Sequence, residues 1–166
     1  MTGDVVLFRG KGFIFSVLSF ILCLCDKEWR ARDFKPWHVG FISRYWDGHP
    51  LICEAVAGGV TENVLTGDYK VYRWFDEKVD PTEFVNKHRG EKYDILVYPL
   101  TAIAYLIRHY LHRPVPRLFD NSWSCWELVY YFCARMGKSL AESYDFPMIS
   151  DLVKALEKQE NKWLTG

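Results

Sequence analysis

Apolar positions along the chain come in two spacings, and each predicts a different kind of element. Residues 5–8 (VVLF) form a short apolar run entered through Gly3-Asp4, which predicts a strand. Gly10-Lys11-Gly12 punctuates it. In Phe13–Cys25 (FIFSVLSFILCLC), apolar residues then fill nearly every position, which predicts a buried helix. Residues 27–33 are charged and predict an exposed stretch. Two β-rich runs follow, residues 37–43 (WHVGFIS) and 51–56 (LICEAV), with the turn composition Asp47-Gly48-His49-Pro50 between them. Together they predict an antiparallel hairpin. Residues 69–74 (YKVYRW) alternate like a half-exposed strand, and Gly58-Gly59 ahead of them lets the chain turn.

The second half reads mainly as helix. Residues 81–89 predict a helix with Asp80 as its cap and Pro81 at its first position. Residues 94–98 predict a short strand. Ile103, Leu106, Ile107, Tyr110 and Leu111 give residues 101–111 helical spacing, ended by Pro114 and Pro116. Ser122 or Ser124 can cap the next helix, which runs to Met136 and stops at Gly137. Residues 149–158 close the chain with an amphipathic segment. No internal repeat or low-complexity linker is present, so the expectation is one domain over residues 1–166. Its predicted class is α+β, a small antiparallel sheet flanked by helices.

Composition narrows the function classes. With 166 residues, 49% hydrophobic and 25% charged, the chain reads as globular. The 17% aromatic content predicts a dense core or an interface ahead of an aromatic-lined groove. Lysines plus arginines number 21, as do aspartates plus glutamates, so no net field attracts nucleic acid or anionic lipid. The basic stretch at residues 108–117, with His109 and His112, reads as a solvated helix face. The run Phe13–Cys25 is too short to span a bilayer, which needs about 20 residues. Arg9 and Lys11 precede it as in a signal peptide, but Asp26-Lys27-Glu28-Trp29 follows where a small-residue cleavage site would stand. The expectation is therefore cytoplasmic synthesis without a signal peptide or transmembrane segment, and shallow membrane contact is the competing reading.

Five cysteines, at 23, 25, 53, 125 and 133, are an odd number with no C-x-x-C pair and no histidine spacing that completes a zinc site. A disulfide framework, a metal and a cofactor are not expected. Cys125 alone falls in the first turn after candidate caps, where free N–H groups and the helix dipole stabilise a thiolate and can bind an oxyanion. It also shares the apolar stripe of Leu128, Val129, Phe132 and Met136, a setting in which free cysteine is commonly just core.

His38 is the candidate base. On the predicted strand it faces the same way as Gly40 and Ile42, and Gly40 leaves room beside the ring for a sulfur or substrate. Glu54 shares a strand face with Ile52 and Val56, where a carboxylate requires a partner. In the predicted hairpin it can reach the second ring nitrogen of His38 and fix the tautomer. A structural ion pair to an arginine is the alternative.

Four motifs stand in order, the His-Val-Gly strand, the apolar-Glu-Ala strand, Lys92-Tyr93-Asp94, and Cys-x-Glu-Leu-Val from Cys125 to Val129, and the opening Gly-Asp-Val-Val adds to them. In these the chain resembles the permuted NlpC-type papain-like cysteine hydrolases, in their YiiX-like branch, from Gly3 to about Ser139. The resemblance implies a circularly permuted papain-like fold, with Cys125 as nucleophile, His38 as general base and Glu54 orienting it. It implies a thiol-dependent amidase or endopeptidase acting on cell-wall (peptidoglycan) peptides, or on another amide or ester substrate. Two further readings compete. One is lipid acyl transfer or hydrolysis, since lecithin–retinol acyltransferase-like proteins share the permuted order. The other is a non-enzymatic module of an assembly such as a phage tail, with virion partners.

Overall fold

The computed structural model describes residues 1–9, 13–94, 103, 106, 107, 110, 122–140 and 149–165. The strands are β1 (Val5–Arg9), β2 (Pro36–Trp46), β3 (His49–Val56), β4 (Gly59–Val64) and β5 (Tyr69–Tyr72). They form an antiparallel sheet in the order β4-β3-β2-β1-β5. The helices are α1 (Phe13–Cys25), α2 (Lys27–Ala31), α3 (Thr82–His88), α4 (Cys125–Arg135) and α5 (Ile149–Thr165). The architecture is α+β, with a small antiparallel sheet flanked by helices.

The predicted hairpin is the centre of the sheet. Asp47 (φ 49°) and Gly48 (φ 76°) make its two-residue turn, the left-handed pair that matches the twist of the flanking strands. The strands extend beyond the predicted ends on both sides of that turn. Between Ile42 and Arg44 the register shifts, and the Ser43 hydroxyl donates to Leu51 O at 3.1 Å. β4, which follows the expected turn at Gly58-Gly59 and has no counterpart among the predicted elements, is an edge strand. Its alternation is hidden because Thr61, Glu62 and Asn63 are polar.

One face of the sheet, with Val5, Leu7, Val39, Phe41, Cys53 and Ala55, enters the main core together with α4 and α5. Val6, Ile42 and Ile52 form a smaller second cluster. Among the described residues, most aromatic side chains enter or pack on the main core. Phe132 of α4 stacks on Phe41 of β2 with centroids 3.8 Å apart, while Phe84 and Phe75 meet its ring edge-on.

The helices differ from expectation in instructive details. α3 begins at Thr82, one residue later than predicted. The Asp80 carboxylate accepts from the Thr82 N–H at 3.0 Å and its hydroxyl at 2.6 Å, and Pro81 occupies the cap. α4 stops where predicted, at Gly137 (φ 82°), and Lys138 N–H donates back to Cys133 O at 3.0 Å. The charged stretch 27–33 contains α2, whose Trp29 is buried against Trp37. α1 is a helix as expected, but not a buried one: Leu22 is inside, whereas Val17, Phe20 and Leu24 face out. Its apolar residues surround the axis, so sequence alone does not say which side packs. The strand expected at residues 94–98 lies outside the described residues beyond Asp94. Of the helix expected at 101–111, only Ile103, Leu106, Ile107 and Tyr110 are described, and Arg108, His109, Leu111, His112, Pro114 and Pro116 are outside.

Truncating the ring that three others pack on tests this core. Phe132→Ala is expected to destabilise the fold by about 3–5 kcal/mol, read as a fall in the urea midpoint at an unchanged slope.

Candidate active site

The three residues singled out from the sequence meet around one imidazole. His38 stands near the start of β2 and Glu54 on β3, where Gly40 is the residue directly opposite Glu54. His38 is therefore a diagonal neighbour of Glu54, within reach of its side chain. His38 Nε2 and Glu54 Oε2 are 2.5 Å apart. The other Glu54 oxygen accepts from Asn63 Nδ2 at 2.7 Å, so both oxygens of this buried carboxylate are used. Cys125 is near enough to the same imidazole for its charge and hydrogen bonding to act on the ring.

Gly40 serves differently from the sequence expectation. A Cβ at this position would stand 2.8 Å from the Cys53 carbonyl oxygen and 3.3 Å from Glu54 Cβ. The space is taken by β3 and is not open to a sulfur or a substrate. The missing side chain lets the two strands close, and that closure seats Glu54 beside the ring.

The thiol is positioned by the start of α4. Ser124 is the N-cap: its hydroxyl accepts from the Glu127 N–H at 3.2 Å, and Glu127 Oε2 accepts from the Ser124 N–H at 3.0 Å. The Ser124-x-x-Glu127 spacing is the sequence signature of this reciprocal cap, and it selects Ser124 over Ser122. The cap takes up the N–H of Glu127 and not that of Cys125, which stays in the first turn, at the positive end of the helix dipole.

The chain leading into that turn is tied down as well. Trp123 donates its N–H to Lys92 O at 2.9 Å and accepts from the Asp94 N–H at 3.1 Å. Its indole N–H donates to Glu91, whose carboxylate also meets His88 Nδ1 at 2.8 Å. The Lys92-Tyr93-Asp94 motif thus brackets the approach to Cys125.

Electrostatics distinguish the ring and the cysteines. Burial alone would push the His38 pKa down. The charge and hydrogen bonding of Cys125, then the hydrogen bond and charge of Glu54, outweigh it and raise the value from 6.5 to about 10. Burial would raise the Glu54 carboxyl, but the His38 hydrogen bond and charge and the Asn63 amide hold it below the usual range. Burial pushes the Cys53 thiol up to about 12, and Cys133, in the core, lies well above the usual thiol value. All five cysteines are free thiols.

Asn63 is the site residue that sequence reasoning missed. It lies on the strand whose polar composition concealed it, and only the β3–β4 register places it beside Glu54. Trp126 follows Cys125 and is fully buried in the core. Among the described residues no group of three or more histidines, cysteines, aspartates or glutamates is arranged to hold a metal ion. Compared with protein-family models, curated proteins and solved structures, the chain matches none.

The ring's raised value fixes a pH dependence. A folded-state pKa above the free value means that the charged ring contributes its full stability below about pH 6.5 and loses it as pH rises through about 10. The stability difference between wild type and His38→Ala is therefore expected to be largest near pH 6 and to shrink steadily towards pH 10 in urea titrations. A difference that is flat or grows over that range would mean that the ring is neutral throughout.

Proposed function

We propose that the protein is a thiol-dependent acyl-transfer hydrolase with a circularly permuted papain-like fold, in which Cys125 is the nucleophile, His38 the general base and Glu54 the residue that orients it. The observation that carries this reading is a single imidazole shared by a buried carboxylate and a cysteine in the first turn of a helix. Each part answers a chemical need. A thiol attacks only as thiolate, and both an imidazolium and a helix N-terminus stabilise that charge. A base must hold one tautomer, and a carboxylate on Nε2 leaves Nδ1 for the sulfur.

In the proposed cycle His38 takes the proton of Cys125, and the sulfur attacks the carbonyl carbon of an amide or ester. The oxyanion forms beside the first-turn N–H of Cys125. Collapse breaks the bond to the leaving group, which takes the proton from His38. Water, deprotonated by His38, then attacks the thioester and regenerates the thiol. Cys125 has no exposed surface, whereas the His38 side chain keeps 21% of its own. Turnover therefore requires a covering group to move aside, with the ring as the exposed side of the site.

The resemblance in sequence carries cell-wall peptides as the first substrate class to test, with cleavage next to a D-configured γ-glutamyl or similar linkage. A second reading, acyl transfer to or from a lipid, is favoured by the outward-facing apolar residues of α1.

Peptide and ester substrates, assayed with wild type and variants, test the proposal. Cys125→Ala is expected to abolish turnover, and His38→Ala to lower it by about 10²–10⁴-fold. Retained turnover in Cys125→Ala would remove the proposal. Independently of substrate, iodoacetamide at pH 6 is expected to label Cys125 faster than Cys53 and Cys133, as read by peptide mass spectrometry. His38→Ala should remove that preference, and equal labelling of the three thiols would count against an ion pair.

A further inference from the structure

Apolar side chains left in water are ordinarily scattered singly. Here two groups repeat at helical spacing. On α1, Val17, Phe20 and Leu24 are 42%, 64% and 54% exposed. Such positions fall on one side of a helix, and the fully buried Leu22 falls on the other. No residue of α1 carries a charge. Ile103, Leu106 and Tyr110 repeat the pattern and are exposed too, while Ile107 packs on the main core.

Charge is segregated along the sequence stretches that hold them. The whole chain is balanced, yet residues 5–25 and 95–119, which hold both groups, contain Arg9, Lys11, Arg108, Arg113 and Arg117 and not one aspartate or glutamate. Beside Phe20 lies a cleft of about 460 Å³. Phe20, Cys23 and Trp37 line it with apolar surface, Arg9 and Lys35 with positive charge, and Asp33 also borders it. Arg9 is bridged to Asp68 at 2.9 Å, and both side chains stay about half exposed.

We propose that this exposed face of α1, with the cleft beside it, seats the protein on an anionic phospholipid bilayer, with α1 in the plane of the interface. Val17, Phe20 and Leu24 enter the acyl boundary, and Arg9 and Lys35 beside Phe20 meet the lipid phosphates. An apolar stripe bordered by Lys and Arg is what an interfacial helix requires. α1, with 13 residues, is shorter than the roughly 20 needed to cross. Among the described residues no helix is long and apolar enough to span a membrane. The proposal is independent of the chemistry at Cys125.

Co-sedimentation with sucrose-loaded vesicles tests it on the full chain. Phosphatidylcholine vesicles containing phosphatidylglycerol are expected to pellet the protein, with affinity falling as salt rises and at least about tenfold weaker on phosphatidylcholine alone. Phe20→Glu with Leu24→Glu should weaken binding by more than about tenfold while leaving circular dichroism and melting unchanged. Trp46→Glu, at the exposed hairpin tip, should bind as wild type. If the double variant melts early, Phe20→Ser alone gives the reading, and the same loss is expected. The proposal is overturned by no pelleting on the anionic vesicles, by equal pelleting on both lipids, or by unchanged binding in the Phe20 variants. It is equally overturned if the chain elutes as a dimer that those substitutions break.

Discussion

Burying a carboxylate costs several kcal/mol unless its oxygens find partners, and Glu54 finds them on the two strands that flank its own. One oxygen meets His38 on β2, and the other accepts from Asn63 on β4. Because side chains alternate along a strand, a one-residue slip of β3 would turn Glu54 to the opposite face and strand both partners. The demand of one buried charge thus fixes the register of three strands. Gly40 makes this possible by omitting the side chain that would hold β2 and β3 apart.

The thiol side of the site obeys a separate constraint. Helix ends leave backbone N–H groups unsatisfied, and the Ser124–Glu127 cap settles only some of them. The turn that carries Cys125 keeps its positive end, and the backbone pairing of Trp123 with Lys92 and Asp94 fixes where that end points. Buried position alone does not distinguish Cys125, since Cys53 and Cys133 are buried as well. The difference lies in what faces the sulfur. Cys53 has Glu62 and Glu54 as electrostatic neighbours, Cys133 has apolar surroundings, and Cys125 has an imidazole that is itself held by a carboxylate.

The strands and helices legible in the sequence are those in which one physical signal dominates. Asp47-Gly48 between two β-branched runs announces the hairpin, and Gly137 after an apolar stripe announces the end of α4. β4 was illegible because its side chains serve as partners instead of core. Glu62 accepts from Ser43, Arg44 and Arg89, and Asn63 donates to Glu54, so no apolar alternation remains to be read. α1 failed in the opposite way: with apolar residues on every side, its composition signalled burial for a helix in which Leu22 is buried but Val17, Phe20 and Leu24 are exposed. At the candidate site, alternation along two strands was enough to suggest that Glu54 can reach His38. The meeting of the ring with Cys125 depends on how α4 packs on β2 and β3, which no local pattern encodes. Asn63 could not be placed until β4 was known.

The chain order of the site matters during synthesis. His38 and Glu54 lie 16 residues apart on adjacent strands of one hairpin, so the imidazole and its carboxylate leave the ribosome together and need only a local turn to find each other. Cys125 follows much later, and translation proceeds from the N-terminus at about 5–20 residues per second. For that interval the growing polypeptide carries the imidazole and its carboxylate without the sulfur that faces them in the finished fold. Cys125 meets the ring only once α4 has docked on β2 and β3.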